Sequence, residues 1–467
     1  MTSIFEDRLT DVTTIPGHID VVIAGAGIGG LCAARSAQEA GASVLVIEKA
    51  TEIGGSAAAS GGTVWCARDI GEWQKVQPDG DTTLGQALIS GFQDGIPWLQ
   101  GQGVAIATVP DRPYKFKRDI YRLDPNPREA LQTVAQQIRE SGGHILTSAS
   151  LESLERGAGG LSGITIRTPD REVTVETHSV ILATGGFQAN AELRARYMGR
   201  WSDRMIVRGV LENTGDGLLA ATDIGADTAG PFSRFYGHYL PAPPAKVGLH
   251  NFVHVKPDFS EYAITVNALG ERFDDEFLGD EVTVHALIHQ PDGMGVLVFD
   301  HHIRENMEQY SQWPTADVDR VRNIREAGGQ VLECFSAERL AEEMNDRWQI
   351  PRGRFLNTLA EYNQACHQAS GTELPVPKSG GLIPLEQPPF YAIRVLAGAT
   401  FTYGGVKVNA SAEVIDRSGR TIGGLFAAGA DCGGVYTRGY TGGLSVGLAF
   451  GRIAGKNAAA YVRSIRD

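Results

Sequence analysis

Short apolar runs bounded by glycine organise both ends of the chain. Val21 to Ala24 runs into a glycine-rich turn, a pattern with apolar faces continues to about Glu39, and a second apolar run covers Ser43 to Ile47. These predict strand, helix and strand in that order. Two further runs, in VILATGGF (180–187) and GLFAAGADCGG (424–434), predict strands that end in glycine turns. From roughly 240 to 385 the pattern changes. Polar helical periodicity dominates in SAERLAEEMNDRW and RFLNTLAEYNQACHQA, and loops such as PAPPAK and PVPKSGGLIP suit domain edges. No internal repeat or low-complexity tract interrupts the chain.

Length fits this division, because 467 residues exceed a single typical domain about threefold. The 58 glycines cluster in particular loops, so those loops need them. A net charge of −13 disfavours a nucleic-acid partner, which would be held through Lys and Arg on phosphates. The five cysteines form no CxxC pair, which fits a reducing compartment and predicts no metal site. The opening MTSIFEDRLTDVTT has no basic or apolar segment of a signal peptide, and no apolar run is long enough for an integral membrane span. A cytoplasmic protein is expected.

The first turn reads Gly25-x-Gly27-x-x-Gly30 between strand and helix, and the second strand ends in Glu48. That is the dinucleotide fingerprint in its full context. The first glycine makes the turn, the second admits the pyrophosphate, and the third lets helix and strand pack closely. The acid stands where a ribose hydroxyl would bind. A second glycine-rich loop, KATEIGGSAAASGGTVW (49–65), follows at once and resembles the flavoprotein pattern, in which it wraps FAD. A single GxGxxG gives no sign of a separate nicotinamide domain.

GSAAASGG (55–62), ATGGF (183–187), NTGDGLLAATDIGA (213–226), GERFDDE (270–276), YGGVKVN (403–409), GLFAAGADCGG (424–434) and YTGGLSVGLAFGRIAG (440–455) follow one another along nearly the whole chain. In this order they resemble the fumarate reductase and 3-ketosteroid dehydrogenase flavoproteins. The resemblance implies an α/β fold: a Rossmann-like FAD-binding domain built from 1–239 and 386–467, with an α+β capping domain inserted at 240–385. It implies FAD contacts from Gly25, Gly27, Gly29 and Gly30, from Glu48 and Lys49, and from Gly54, Gly55, Ser56, Ser60, Gly61 and Gly62. Further along it implies Ala183, Thr184, Gly185, Asp216, Gly429, Asp431 (on the ribityl chain), Leu444, Ser445 and Val446. Trp65 is expected as packing beside the second loop.

Departures from the dicarboxylate enzymes narrow the substrate. Gly55 stands where some members link FAD to histidine, so the FAD is expected to be non-covalent. Thr400 and Phe401 replace a substrate histidine, Tyr440 replaces a substrate arginine, and FLGDEVTVH holds none of the expected proton-delivering arginine. A dicarboxylate needs such cations. The ketosteroid side of the family instead carries a tyrosine in a glycine turn. By that resemblance, Tyr440 and the Gly443 amide would hold a ketone oxygen as it becomes an enolate. In RFYGHYLP, Tyr236, His238 and Tyr239 are candidate bases. Alternation along a strand puts 236 and 238 on one face and 239 on the other. Arg438 and Arg234 are the cations left for a carboxylate, Tyr403 reads as turn packing, and Cys432 as a small buried residue. The expected function is FAD-dependent oxidation or reduction of a CH–CH/C=C bond beside a carbonyl. The substrate would be small, hydrophobic and carbonyl-containing, with a steroid-like ketone as the candidate, and the electron acceptor or donor is unidentified. The alternatives are a fumarate reductase-like enzyme for an unsaturated carboxylate, and a hydratase-like protein whose FAD is structural.

Overall fold

A computed structural model describes residues 19–109, 115–157, 159–310 and 319–467. The N-terminal stretch read above for a targeting signal lies outside the described residues.

The apolar runs do form strands, and they meet in one six-stranded sheet. Its order is Glu413–Ile415, Thr421–Ala427, Ser179–Leu182, Val21–Ala24, Val44–Ile47 and His144–Leu146. All neighbours are parallel except the first pair, which is antiparallel. Each residue of the two strands flanking the glycine turn is buried, which explains why VVIA and VLVI read as unbroken apolar runs.

Two helices cover one face, and small residues set their distance. Ile28–Glu39 packs along the C-terminal helix Gly443–Arg466. A Cβ on Gly451 would come within 2.4 Å of the Gly29 carbonyl oxygen, and one on Gly455 within 2.2 Å of that of Ala33. Glycines one turn apart therefore let the two backbones touch. At the head of the first helix, a Cβ on Gly30 would lie 1.8 Å from the Gly25 carbonyl oxygen, so this glycine packs helix on strand.

A second six-membered sheet is built on the long strand Phe390–Thr402. It pairs antiparallel with Phe235–Pro241, Met294–Asp300 and Val331–Cys334, and parallel with Ile206–Val207. The boundary expected at 239/240 falls inside the strand Phe235–Pro241, which is paired along its length with the long strand. The polar helical patterns form Ala337–Trp348, capped by Ser336 accepting from the Arg339 amide, and Arg352–Gln368. Among the described residues no helix is long and apolar enough to cross a membrane. No group of three or more His, Cys, Asp or Glu side chains there is arranged to hold a metal ion.

Candidate active site

One elongated cavity runs from the glycine turn of the first strand to the Tyr440 loop. At its first end the walls are backbone. Gly27, Gly55, Gly61 and Gly429 have nothing closer than 3.7 Å to the position a Cβ would take, so these stretches are bare of side chains. Gly25 has φ +109°, and a Cβ there would sit 2.1 Å from the Ala183 carbonyl oxygen. Such a cradle accepts a long ligand lying against peptide groups. Glu48 lines it, accepting from the amides of Ala26 and Ala50, each at 2.8 Å. Burial raises its pKa, and those amides oppose the rise. Lys49 and Asp216, paired at 2.9 Å, line the same end. These groups fit FAD.

Most of the residues expected at the cofactor face this cavity: Gly25, Gly27, Gly29, Glu48, Lys49, Gly55, Ser56, Ser60, Gly61, Gly62, Ala183, Thr184, Gly185, Asp216, Gly429, Leu444 and Val446. Four do not line it. Gly30 packs the helix on its strand. Gly54, at φ +111°, bridges to Gly27 and supports the loop from behind. The Ser445 hydroxyl donates to the Trp65 carbonyl at 2.5 Å. Asp431 departs most from expectation. Its carboxylate accepts from the Thr184 amide at 2.5 Å and from the Thr184 hydroxyl at 3.0 Å. It ties two strand ends together, and it is the neighbouring Ala428, Gly429 and Ala430 that face the cavity. Burial lifts the Asp431 carboxyl to about 6.

At the other end the wall is aromatic. Tyr440 lies edge-on to buried Trp65, with ring centroids 5.1 Å apart. It stacks on Tyr236 at 3.6 Å and 11°. Its hydroxyl oxygen accepts from the Gly443 amide at 2.7 Å. The sequence predicts phenol and amide side by side on one ketone oxygen. The structure puts them in series: the amide is spent on the phenol oxygen, which polarises the phenol's own O–H. Burial, then the neighbouring Tyr236, hold the Tyr440 pKa well above the usual phenol range.

Tyr236 and His238 share one strand face, as alternation requires, and both line the cavity. His238 Nε2 lies 2.8 Å from the Tyr236 hydroxyl, and its Nδ1 lies 2.8 Å from Asp280 Oδ1. With Asp280 ionised, Nδ1 carries the ring proton and Nε2 accepts from Tyr236. Burial, with Lys256 and Arg208 adding to it, drives the His238 pKa well below its ordinary value. Tyr239 points the other way. Its hydroxyl donates to Thr283 at 2.8 Å and it does not line the cavity, so it packs the strand on helix Asp280–Leu287.

The sheet supplies one irregularity. Tyr236 pairs with Phe401 and Gly237 with Ala399, so Thr400 is an extra residue in the long strand. That bulge brings Thr400 to the cavity, where its hydroxyl accepts from Arg208 Nη1 at 2.8 Å. Arg208, Phe252, Lys256, Asp258 and Arg320 complete this end, Asp280 stands behind His238, and none of them stood out in the sequence. Asp280 lies in the segment noted above only for lacking arginine. Lys256 and Arg320 both reach Asp258, each at 2.6 Å. Arg438 is exposed, and neither it nor Arg234 lines the cavity. Tyr403 and Cys432 are buried outside it.

The chain is 27% identical to the NADH:fumarate oxidoreductase of Klebsiella pneumoniae (strain 342), over 96% of this chain and 48% of that protein. It spans about half the length of the first curated relatives it matches. It is 23% identical to the 3-oxosteroid 1-dehydrogenase of Mycolicibacterium smegmatis (strain ATCC 700084 / mc(2)155), over 96% of this chain and 98% of that protein. Its fold matches that of 3-ketosteroid delta1-dehydrogenase from Sterolibacterium denitrificans with a TM-score of 0.77. That match is at 20% identity and covers 95% of this chain and all of that one. The family model for the FAD binding domain matches residues 20–446, and the chain belongs to that family, with FAD as its cofactor.

Proposed function

We propose that this protein is an FAD-dependent oxidoreductase acting on a CH–CH or C=C bond next to a ketone. The observation that carries the reading is the chain Asp280–His238–Tyr236, which ends on a tyrosine stacked against Tyr440. Residues 240–385 serve as the cap and provide Asp280 and Lys256. Bound without a covalent link, FAD supplies the hydride acceptor or donor for the β-carbon.

Tyr440 donates its O–H to the substrate ketone. The Gly443 amide strengthens that donation as negative charge gathers on the ketone oxygen. Tyr236 handles the α-proton. In the oxidative direction it takes that proton while passing its own to His238 Nε2, and Asp280 then faces the imidazolium. In the reductive direction the proton returns from Tyr236 to the α-carbon. A phenol whose pKa burial has raised, beside a histidine whose pKa burial has lowered, keeps the proton on Tyr236 at rest. With Nε2 of His238 free to accept, this resting protonation is the one from which oxidation starts, and reduction starts from the imidazolium.

The test uses anaerobic holoenzyme. Photoreduced enzyme is expected to regain its oxidised-flavin absorbance with 2-cyclohexenone. Oxidised enzyme is expected to bleach with the saturated ketone more readily than with succinate. Reoxidation by fumarate and not by the enone would overturn the ketone reading. No response to any of these compounds would favour structural FAD.

A further inference from the structure

Among the described residues, Arg208 is a cation at the aromatic end of the cavity with no carboxylate partner. Lys256 and Arg320 also line this end, but both contact Asp258, at 2.6 Å each. Among the described residues Arg208 has no carboxylate within ion-pair distance. Its Nη1 donates to the neutral Thr400 hydroxyl at 2.8 Å, and its Nε is buried without a hydrogen-bond partner. The guanidinium carbon lies 4.7 Å from the Phe252 ring centroid and 5.7 Å from that of Tyr236. Two aromatic rings flank the fork but accept none of its hydrogen bonds. The position is held firmly from behind, because the Arg208 amide donates to the Ala399 carbonyl at 2.7 Å and Thr400 is the bulged residue beside it.

A guanidinium half-removed from water, with an orphaned donor and no counterion, is costly to hold. A planar anion answers both deficits, since a carboxylate takes two parallel N–H donors from an arginine fork. We infer that Arg208 anchors a carboxylate of the substrate, and that the substrate is a keto acid or enone acid rather than a neutral ketone. The inference rests on the ketone reading above. The tyrosine pair takes the reacting carbonyl, and Arg208, beside the Tyr236 ring, takes the acid a few carbons away. The flanking rings of Phe252 and Tyr236 suit an apolar or unsaturated carbon skeleton between the two polar groups.

Binding is read on anaerobic oxidised holoenzyme from the flavin perturbation immediately on rapid mixing, before the remaining CH–CH bond beside the ketone can be oxidised. The bound-flavin absorbance is titrated with 4-oxocyclohex-2-ene-1-carboxylate and with its carboxamide, which has the same shape and no charge. Wild type is expected to bind the acid about 10- to 100-fold more tightly than the amide. Arg208→Gln should abolish that preference by weakening the acid alone, and Arg208→Lys should restore part of it. FAD content should stay at the wild-type level in both variants. Equal affinity of wild type for acid and amide would overturn the proposal. So would a Gln variant that loses both ligands equally, which would make Arg208 a carbonyl-polarising or packing residue. Loss of FAD in the variants would assign the guanidinium to the cofactor and overturn it as well. The same two probes, added to photoreduced enzyme, separate the two readings. If neither reoxidises the flavin while the acid preference stands, the ketone reading falls and the anion site remains.

Discussion

The ring of Tyr236 lies 3.6 Å from that of Tyr440, centroid to centroid, and 11° from parallel. The two residues come from distant parts of the chain, one from a strand and one from a glycine turn. Their stacking joins two polar contacts, His238 on one phenol and the Gly443 amide on the other, into a single site.

Tyr440→Phe keeps the stack on Tyr236 and removes one donor. Flavin oxidation or reduction in anaerobic single turnover should slow by about 100-fold or more, since the ketone oxygen gains charge only as the reaction proceeds. FAD content and thermal stability should stay close to wild type. A variant that turns over at the wild-type rate would reduce Tyr440 to a packing residue.

Asp280→Asn tests the proton chain. An amide in place of the carboxylate removes the charge that faces Nδ1 of His238, 2.8 Å away, and loses the preference for the tautomer that accepts from Tyr236. The proton-transfer step should slow and its solvent isotope effect should rise, while binding of the enone to oxidised enzyme holds. An unchanged isotope effect together with an unchanged rate would remove His238 and Asp280 from the chemistry.

The histidine also predicts a pH effect on stability. Its folded pKa is well below the unfolded value near 6.5, so the unfolded chain binds the proton first. The stability gained by keeping His238 neutral is complete above about pH 6.5 and declines as pH falls from there toward the folded pKa. His238→Asn lacks this dependence. The Tm gap between wild type and this variant should therefore shift against wild type on going from pH 7.5 to pH 5. A gap that stays constant, or that shifts in favour of wild type, would contradict the buried neutral histidine.

FAD should leave the denatured polypeptide, because Gly55 gives the second glycine-rich loop no side chain there to form a covalent link. Acid precipitation followed by absorbance of the supernatant settles the point, and yellow colour retained in the pellet would refute it. Glu48→Ala should weaken FAD retention by roughly 1.5–3 kcal/mol, the worth of one hydrogen bond to a charged group. The same change strips the amides of Ala26 and Ala50 of their acceptor. Apoenzyme stability must therefore be measured beside FAD affinity to separate the two losses.

Gly442→Ala should destabilise the fold by more than about 1 kcal/mol, since a side chain cannot take this φ without strain. Gly442 has φ +112°, and a Cβ there would meet the Trp65 carbonyl oxygen at 1.8 Å. A denaturant midpoint equal to wild type would show that the turn can move.

By itself the sequence determined whatever depends on neighbours along the chain. The elements around Gly25, Gly27 and Gly30 follow from short apolar runs, from the positive φ of Gly25 and from the close approach that Gly30 permits. Glu48 faces the cofactor cavity because it ends a strand whose register those runs set. Alternation put Tyr236 and His238 together and left Tyr239 out. Tertiary structure decided the rest. Asp431 faces Thr184 and not the cavity because two strand ends meet there, 247 residues apart in the chain. The Gly443 amide serves Tyr440 because the turn folds the phenol back over the helix start. Arg208, the Lys256–Asp258 pair and Asp280 reach the site from three segments that carry no local motif. Their arrangement depends on how the second sheet packs, and on a single bulge at Thr400 that no period in the sequence announces.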